Sequence, residues 1–484
     1  MGEMTARREP SLDIYRGLTI FLMILANTTS MMRNLPWWMN HSFNNSSHLL
    51  HVAWLDLISP MFMFIMGAAI PLAVASRLAR GTSSWRLAGH ILVRAGLLIW
   101  IGTVIHPYYF RSADAFSEAG RGAMGGWWGV FGWLFPVDNP STLNGAWYFW
   151  GFVFPVALLA TWPLTRSAVR WRQVLGWAVR VAALGYLVWA SFLMKTGPEF
   201  DGVVCGVFRG GYNPKAGVFE SYGAEKGVFP ASILGYLGFA YLEVGLLWLI
   251  IRRGRVLKWA ALAILLSLMV HLQHRDAFLT AWLGEAVWYI DAGARFGYYG
   301  SMVLAGALAG EVFLGSPPDG SIRKSLAGMT GLFLLVALLA GGDFFRTFQP
   351  ASIRRTLFFI GLCCAGLWLV WEICRPVRDA KYFPAITSPL TALGKNPLFA
   401  YMLSYGLAGG IDVIINSPGA KQWIQDAMNV GYNIVRTTSG YIHFGPGAWW
   451  LEGWWGVCLA ALPYVVICTA ITMLANRLKV IVRL

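Results

Sequence analysis

Long apolar runs alternate with short polar connections along the whole chain. The runs lie at roughly 14–32, 53–76, 88–107, 146–164, 173–194, 229–251, 257–272, 298–315, 325–341, 356–374, 396–416 and 449–475. A helix of about 20 apolar residues is long enough to cross the hydrocarbon core of a bilayer. The pattern therefore predicts an all-α fold, a polytopic transmembrane helix bundle of about 12 spans, with 10–12 compatible with the boundaries. No soluble domain of ordinary size fits between the runs. The expectation is one transmembrane domain over 1–484, with longer outer loops near 108–145, 195–228, 273–297 and 417–448. No internal repeat, low-complexity tract or coiled-coil heptad interrupts it.

The N-terminus, "MGEMTARREPSLDIYRGLTIFLMILANTTSMM", has the basic start and apolar core of a signal peptide. It lacks a clean small-x-small cleavage site and carries a polar motif before the core. A retained first span is expected.

Composition agrees with the pattern. The 484 residues are 57% hydrophobic and 13% charged, where a soluble chain carries about a quarter charged residues. A net charge of +15 would point to nucleic acid in a soluble protein. Here the positive-inside rule accounts for it, and no nucleic-acid partner is expected. Arg7 and Arg8 precede the first run. Arg77, Arg80 and Arg86 follow the second, and Arg166, Arg170 and Arg172 the fourth. Arg252, Arg253, Arg255 and Lys258 follow the sixth, Arg323 and Lys324 the eighth, and Arg375, Arg378 and Lys381 the tenth. Arg477, Lys479 and Arg483 close the chain. Basic residues thus mark the even-numbered connections, which places both termini in the cytoplasm. The odd-numbered connections are longer, richer in Trp, Tyr, Gly and Pro, and face outward. Five of the six cysteines (Cys363, Cys364, Cys374, Cys458 and Cys468) lie in or beside apolar runs, and no disulfide framework is visible.

Seven of the eight histidines (His41, His48, His51, His106, His271, His274 and His443) fall in outer loops or at outer ends of spans. Histidine is tolerated at membrane interfaces, but it also titrates near neutrality and suits proton transfer. The clustering points to an outer face that handles protons or binds a polar ligand. His48 and His51 are three apart, as are His271 and His274, with Asp276 close behind. That spacing puts two ligands on one helix face, yet no H-E-x-x-H and no cysteine partner accompanies it, so no metal is expected.

Carboxylates within a bilayer are costly and mark function. Asp56, Glu243, Glu311 and Glu452 are the candidates. Pairing with Arg94 or another buried cation is the expected role of Glu243 and Glu311. Asp56 lies just inside the second run, within a turn of His51, and is expected to support a site. At the inner face, "SLDIYRG" places Asp13 and Arg16 three apart at the mouth of the first run. Ser11 is a candidate N-cap. The pair is either a cap with an intrahelical ion pair or an arginine set to hold an anion such as phosphate. "LGKNPLFAYMLSYG" repeats the logic. Asn396 can cap, Pro397 suits the first helical turn, and Lys395 precedes a helix N-terminus that attracts anions.

Three segments, "SLDIYRGLTIFLMILANTTS", "HVAWLDLISPMFMFIMGAAIPLAVASRLARG" and "LTALGKNPLFAYMLSY", together resemble the heparan-alpha-glucosaminide N-acetyltransferase family and its bacterial relatives, a group of transmembrane acyltransferases. The resemblance implies transfer of an acetyl group from cytoplasmic acetyl-CoA to an amino sugar across the membrane. It does not extend over 108–350, so acceptor specificity is not carried over. The family's Asn late in the first span corresponds to Asn27, its His in H-x-x-W to His51, and its Asp in D-L-x-x-P-x-F-x-F to Asp56. The family separates that Trp and Asp by several more residues, whereas Trp54 and Asp56 are nearly adjacent here. The register therefore also admits His48 as the catalytic histidine.

The implied chemistry is acyl transfer. Neutral His51 removes a proton from an acceptor amine or hydroxyl, or attacks the thioester to form an acyl-histidine. Asp56 fixes its tautomer, and Asn27 donates to the thioester oxygen as charge develops. Acetyl-CoA (acyl-CoA) is the co-substrate, its phosphates near Arg16, Asp13, Lys395 and Asn396. At the outer face Trp54, His271, His274 and Asp276 are candidates for the acceptor. The aromatics of "GGWWGVFGWLF", "NGAWYFWGF" and "GPGAWWLEGWW" belong partly to the interfacial belt and partly to glycan stacking. Membrane lipids are the other partners, and a homodimer is compatible with the class. The rival readings are an O-acyltransferase of an exported polysaccharide and a transporter or flippase of a glycan or small polar molecule, although transporters commonly carry an inverted repeat. The compact N-terminus suggests a bacterial cytoplasmic (inner) membrane.

Overall fold

The computed structural model describes residues 9–29, 54–105, 162–165, 167–193, 212–213, 218–219, 233–272, 293–315, 317–340, 353–376, 383–404 and 462–478. In chain order the helices are α1 (Pro10–Thr29), α2 (Trp54–Ala79), α3 (Ser84–Ile105), the single turn α4 (Trp162–Thr165), α5 (Arg170–Leu193), α6 (Ile233–Ile251) and α7 (Arg255–His271). A π-helical turn, Gly293–Tyr299, runs into α8 (Gly300–Glu311). Then follow α9 (Asp319–Leu339), α10 (Ile353–Cys374), α11 (Phe383–Lys395), α12 (397–404) and α13 (Leu462–Arg477). Two two-residue strands, β1 (Tyr212–Asn213) and β2 (Val218–Phe219), pair antiparallel.

Apart from these two short strands the described elements are helical, as the pattern of apolar runs predicts. Among the described residues four helical stretches are long and apolar enough to cross a membrane: Leu55–Ala79, Leu234–Ile251, Asp319–Leu339 and Ile353–Cys374. Most of the expected run at 146–164 lies outside the described residues, as do most of the four outer loops. One element differs from expectation. Residues 383–395, read as part of a connection, form α11, an amphipathic helix with Pro389 inside it.

The chain divides into two compact units. The first comprises Met1–Asn27, Trp37–Gly102 and Glu225–Pro397. Its centre is α8, where every residue from Gly300 to Gly310 is buried. Small residues make this possible. A Cβ at Gly306 would lie 1.9 Å from the Phe64 carbonyl oxygen, and one at Gly310 would lie 2.1 Å from that of Ala68. From the α2 side, a Cβ at Gly67 would lie 1.9 Å from the Val303 oxygen. Backbone thus meets backbone in the small-xxx-small manner that lets membrane helices pack closely. Phe64 faces Gly306 and Ala68 faces Gly310, so the two helices run parallel. By contrast, Gly245 of α6 meets Ile91 and Gly238 meets Ala95 and Ile99, which makes α3 and α6 antiparallel. Pro60 and Pro71 interrupt the hydrogen-bond ladder of α2, a feature tolerated where neighbouring helices cover the freed carbonyls.

In the second unit (Thr28–Pro36, Thr103–Ala224 and Leu398–Leu484) α4 packs on α5. The Tyr464 hydroxyl of α13 donates to the Ser404 carbonyl of α12. One face of α5 displays Trp171, Val174, Trp177 and Val181, all well exposed. Contiguous apolar surface of this kind marks an interaction face, and hydrocarbon satisfies it without cost.

Candidate functional site

Two polar clusters sit within the first unit. The first is built where α1 crosses α11. Gly17 and Gly394 bring the helices into backbone contact: a Cβ at Gly17 would lie 1.8 Å from the Leu390 oxygen, and one at Gly394 would lie 1.9 Å from the Asp13 oxygen. Asp13 is buried, and its carboxylate pairs with Arg16 at 3.2 Å. Arg16 Nη1 also donates to the Gly394 carbonyl at 3.2 Å. One guanidinium thus ties the start of α1 to the end of α11. Lys395 is exposed beside it, while Asn396 is fully buried at the break between α11 and α12. Helix α12 begins at Pro397, in line with the expected cap and first turn. The Ser11 expectation needs correction. Helix α1 already starts at Pro10, a residue suited to the first helical position, so Ser11 lies inside the first turn. Its hydroxyl donates to the Glu9 carboxylate at 2.9 Å.

The second cluster gathers the starts of α2 and α10 with the π-helical turn. Asp56 pairs with Arg355 of α10 at 3.6 Å, and their side chains are only 2% and 4% exposed. The Arg355 guanidinium also lies 5.2 Å from the Phe359 ring centre. Tyr298 lies within the field of both charges, and the Ser301 hydroxyl donates to its carbonyl at 2.8 Å. Next to it Tyr299 meets Tyr298 edge-on at 4.9 Å and Tyr236 of α6 at 4.6 Å. Thr356 donates to the Met269 sulfur at 3.3 Å, and His271, two residues on, ends α7 and is exposed. Desolvation makes a buried pair such as Asp56–Arg355 costly to assemble, but losing one partner costs about 3–5 kcal/mol. Asp56 is therefore fixed in place.

Arg355 was not expected from the sequence. The apolar pattern starts the tenth run at 356, one residue past it. Helix α10 begins at Ile353 and draws both Arg354 and Arg355 inside, 7% and 3% exposed. The other intramembrane carboxylates divide. Glu311 pairs with Lys258, as expected of a packing pair. Glu243 departs from that expectation: among the described residues its Oε2 is buried with no hydrogen-bond partner. Arg94, its expected partner, instead lies over the Tyr241 ring at 4.7 Å. Two residues along a helix point to nearly opposite sides, which turns Arg94 toward a different face of α6 from Glu243. His48, His51, His274, Asp276 and Glu452 lie outside the described residues, as do the side chains of Asn27 and Trp54.

Residues 8–116, which take in α1 to α3, match a family model described as a domain of unknown function, DUF5009. The chain is 41% identical over 106 residues to the heparan-alpha-glucosaminide N-acetyltransferase of Mus musculus, a match covering 22% of this chain and 15% of the mouse protein. It is 41% identical over 100 residues to the Homo sapiens protein of the same name, covering 20% of this chain and 14% of that protein. The matched stretch thus spans about one seventh of these curated relatives. Over about a fifth of its length, this chain is similar to the heparan-alpha-glucosaminide N-acetyltransferases.

Proposed function

We propose that the protein is a transmembrane acetyltransferase that moves an acetyl group from acyl-CoA at the cytoplasmic face to an amino sugar or glycan at the outer face. The carrying observation is the 41% identity to two proteins named as N-acetyltransferases. The twelve-span topology with both termini in the cytoplasm belongs to the same proposal. In it α2 and α8 both run inward, as their parallel packing requires, and α3 runs outward, antiparallel to α6.

In this reading the crossing of α1 and α11 is the cofactor end. Arg16 is held by Asp13 and the Gly394 carbonyl, which presets its guanidinium for phosphate oxygens of the nucleotide. Lys395, exposed at the end of α11, adds a second positive charge, and Asn396 fixes the helix start beside it. His51 (or His48, by the shortened spacing) is the base at the outer end. Asn27 stabilises the developing oxyanion, while Trp54, His271, His274 and Asp276 receive the acceptor. Asp56 is anchored by Arg355 and anchors in turn the mouth of α2, next to the histidine. The protein belongs, in this reading, to a bacterial cytoplasmic membrane.

The reaction itself is the test. Purified full-length protein in nanodiscs, given acetyl-CoA and a panel of amino sugars and glycans, is expected to release free CoA and acetylate a glucosamine-type acceptor on nitrogen. Acetylation of hydroxyls alone would favour the polysaccharide O-acyltransferase. No CoA release with any acceptor would overturn the reading.

A further inference from the structure

Glu243 occupies the middle of α6, a helix long and apolar enough to cross a membrane. Its Oε2 is sealed from the surface and, among the described residues, accepts no hydrogen bond. Three charged groups among the described residues on the elements packed around α6 make contacts other than with Glu243, although Arg94 Nε is itself buried without a hydrogen bond. Arg94 of α3 lies over Tyr241. Lys258 of α7 pairs with Glu311 at the end of α8 and sits 4.9 Å from the Trp248 ring centre. Asp56 of α2 pairs with Arg355. An ionised carboxylate with no cation is too costly at such a place, and a carboxyl there holds a proton instead.

Room for this carboxyl is built in. A Cβ at position 300 would lie 2.6 Å from Glu243 Oε2, so the carboxyl rests directly against the bare backbone of Gly300. Gly300 directly follows the π-helical turn, a backbone form frequent at functional sites. The same turn carries Tyr299, tilted against Tyr236 of α6, and Tyr298, in the field of Asp56 and Arg355. It therefore connects the membrane-centred carboxyl with the cluster at the mouth of α2.

We propose that Glu243 is an intramembrane proton relay between the acceptor site and the departing thiol. This rests on the acyl-transfer reading above. In that reaction the acyl C–S bond breaks and a C–N or C–O bond forms. The acceptor gives up an N–H or O–H proton on the outer side, and the thiolate must gain one to leave as a thiol on the inner side. Glu243 passes its proton toward the thiolate and is reloaded with the acceptor's proton, so nothing is oxidised and no net proton is consumed. Intramembrane ionisable residues commonly serve such relays.

The test treats the full-length protein in nanodiscs with dicyclohexylcarbodiimide, which modifies proton-bearing carboxyls in apolar surroundings, and maps the adduct by mass spectrometry. An adduct at Glu243 is expected. In parallel, Glu243→Gln, which keeps the shape but carries no acid, is expected to lower kcat roughly 10²-fold, the scale of acid–base catalysis. KM for acetyl-CoA should stay unchanged and the solvent deuterium isotope effect on kcat should change. Glu243→Asp should recover part of the rate. A merely structural role would alter the melting temperature and leave the isotope effect alone. Absence of the adduct, or a Glu243→Gln protein with wild-type kcat and isotope effect, overturns the relay. Should Glu243→Gln fail to fold, the adduct on the wild-type chain still decides. A wild-type chain that forms the adduct yet releases no CoA overturns the acyl-transfer reading and, with it, the thiol as the proton's destination.

Discussion

Asp56 and Arg355, 299 positions apart in the chain, face each other at 3.6 Å with side chains almost wholly buried. The pair clamps the start of α2 to the start of α10. Arg355→Gln is expected to destabilise the protein by about 3–5 kcal/mol, because it leaves a buried carboxylate uncompensated. The double variant Asp56→Asn with Arg355→Gln should recover part of that loss, since neither charge then remains. Thermal unfolding in detergent, arranged as a double-mutant cycle, measures both effects.

The α2–α8 contact gives a second prediction. At Gly306 a Cβ would lie 1.9 Å from a backbone oxygen, whereas Gly320 and Gly328 have open space around the same position. Gly306→Ala should therefore cost about 1–3 kcal/mol through overpacking. Gly328→Ala in α9 should stabilise by up to about 1 kcal/mol through helix propensity. Melting temperatures of opposite sign relative to wild type would bear this out.

Much of this was legible in the sequence. The apolar runs marked most of the described helices because period and length suffice for that. Asp13 with Arg16, the break at Asn396, and Glu311 with a buried cation followed from spacing and charge. Arg355 did not, because its partner lies in another helix and only packing brings them together. A signal was present: "SIRRTLFF" places two arginines at the outer end of a span, against the positive-inside rule, and such an exception points to a buried counter-charge. That Glu243 Oε2 has no hydrogen-bond partner among the described residues was equally hidden. Arg94 has the right chemistry, but the rotation of α6 against α3 turns it onto Tyr241. Helix α11 does not stand out in the apolar pattern because it is short and carries Pro389.

The cofactor end makes a kinetic prediction. Arg16→Ala should raise KM for acetyl-CoA about 10- to 100-fold, the worth of one charge-assisted hydrogen bond, with a smaller effect on kcat. Lys395→Ala, removing an exposed charge, should raise KM less, and more so at low salt. Equal losses in kcat for both would place the phosphates elsewhere.

Not every ion pair should matter. Arg323 holds Glu372 through two contacts, one of 2.8 Å, with Trp368 donating to the same carboxylate at 3.2 Å. Arg323 is nonetheless largely exposed, and surface pairs contribute little to stability. Arg323→Gln is expected to leave the melting temperature nearly unchanged and transfer rates unchanged in the same assays.

The central claim is transfer across the membrane by a histidine at the mouth of α2. Its most direct test uses proteoliposomes with the cytoplasmic face outward, radiolabelled acetyl-CoA outside and a glucosamine acceptor trapped within. The account predicts labelled N-acetyl product inside the vesicles, reduced about 10²–10⁴-fold by His51→Ala. Undiminished product from both His51→Ala and His48→Ala, or product formed only when donor and acceptor share one side, would contradict it.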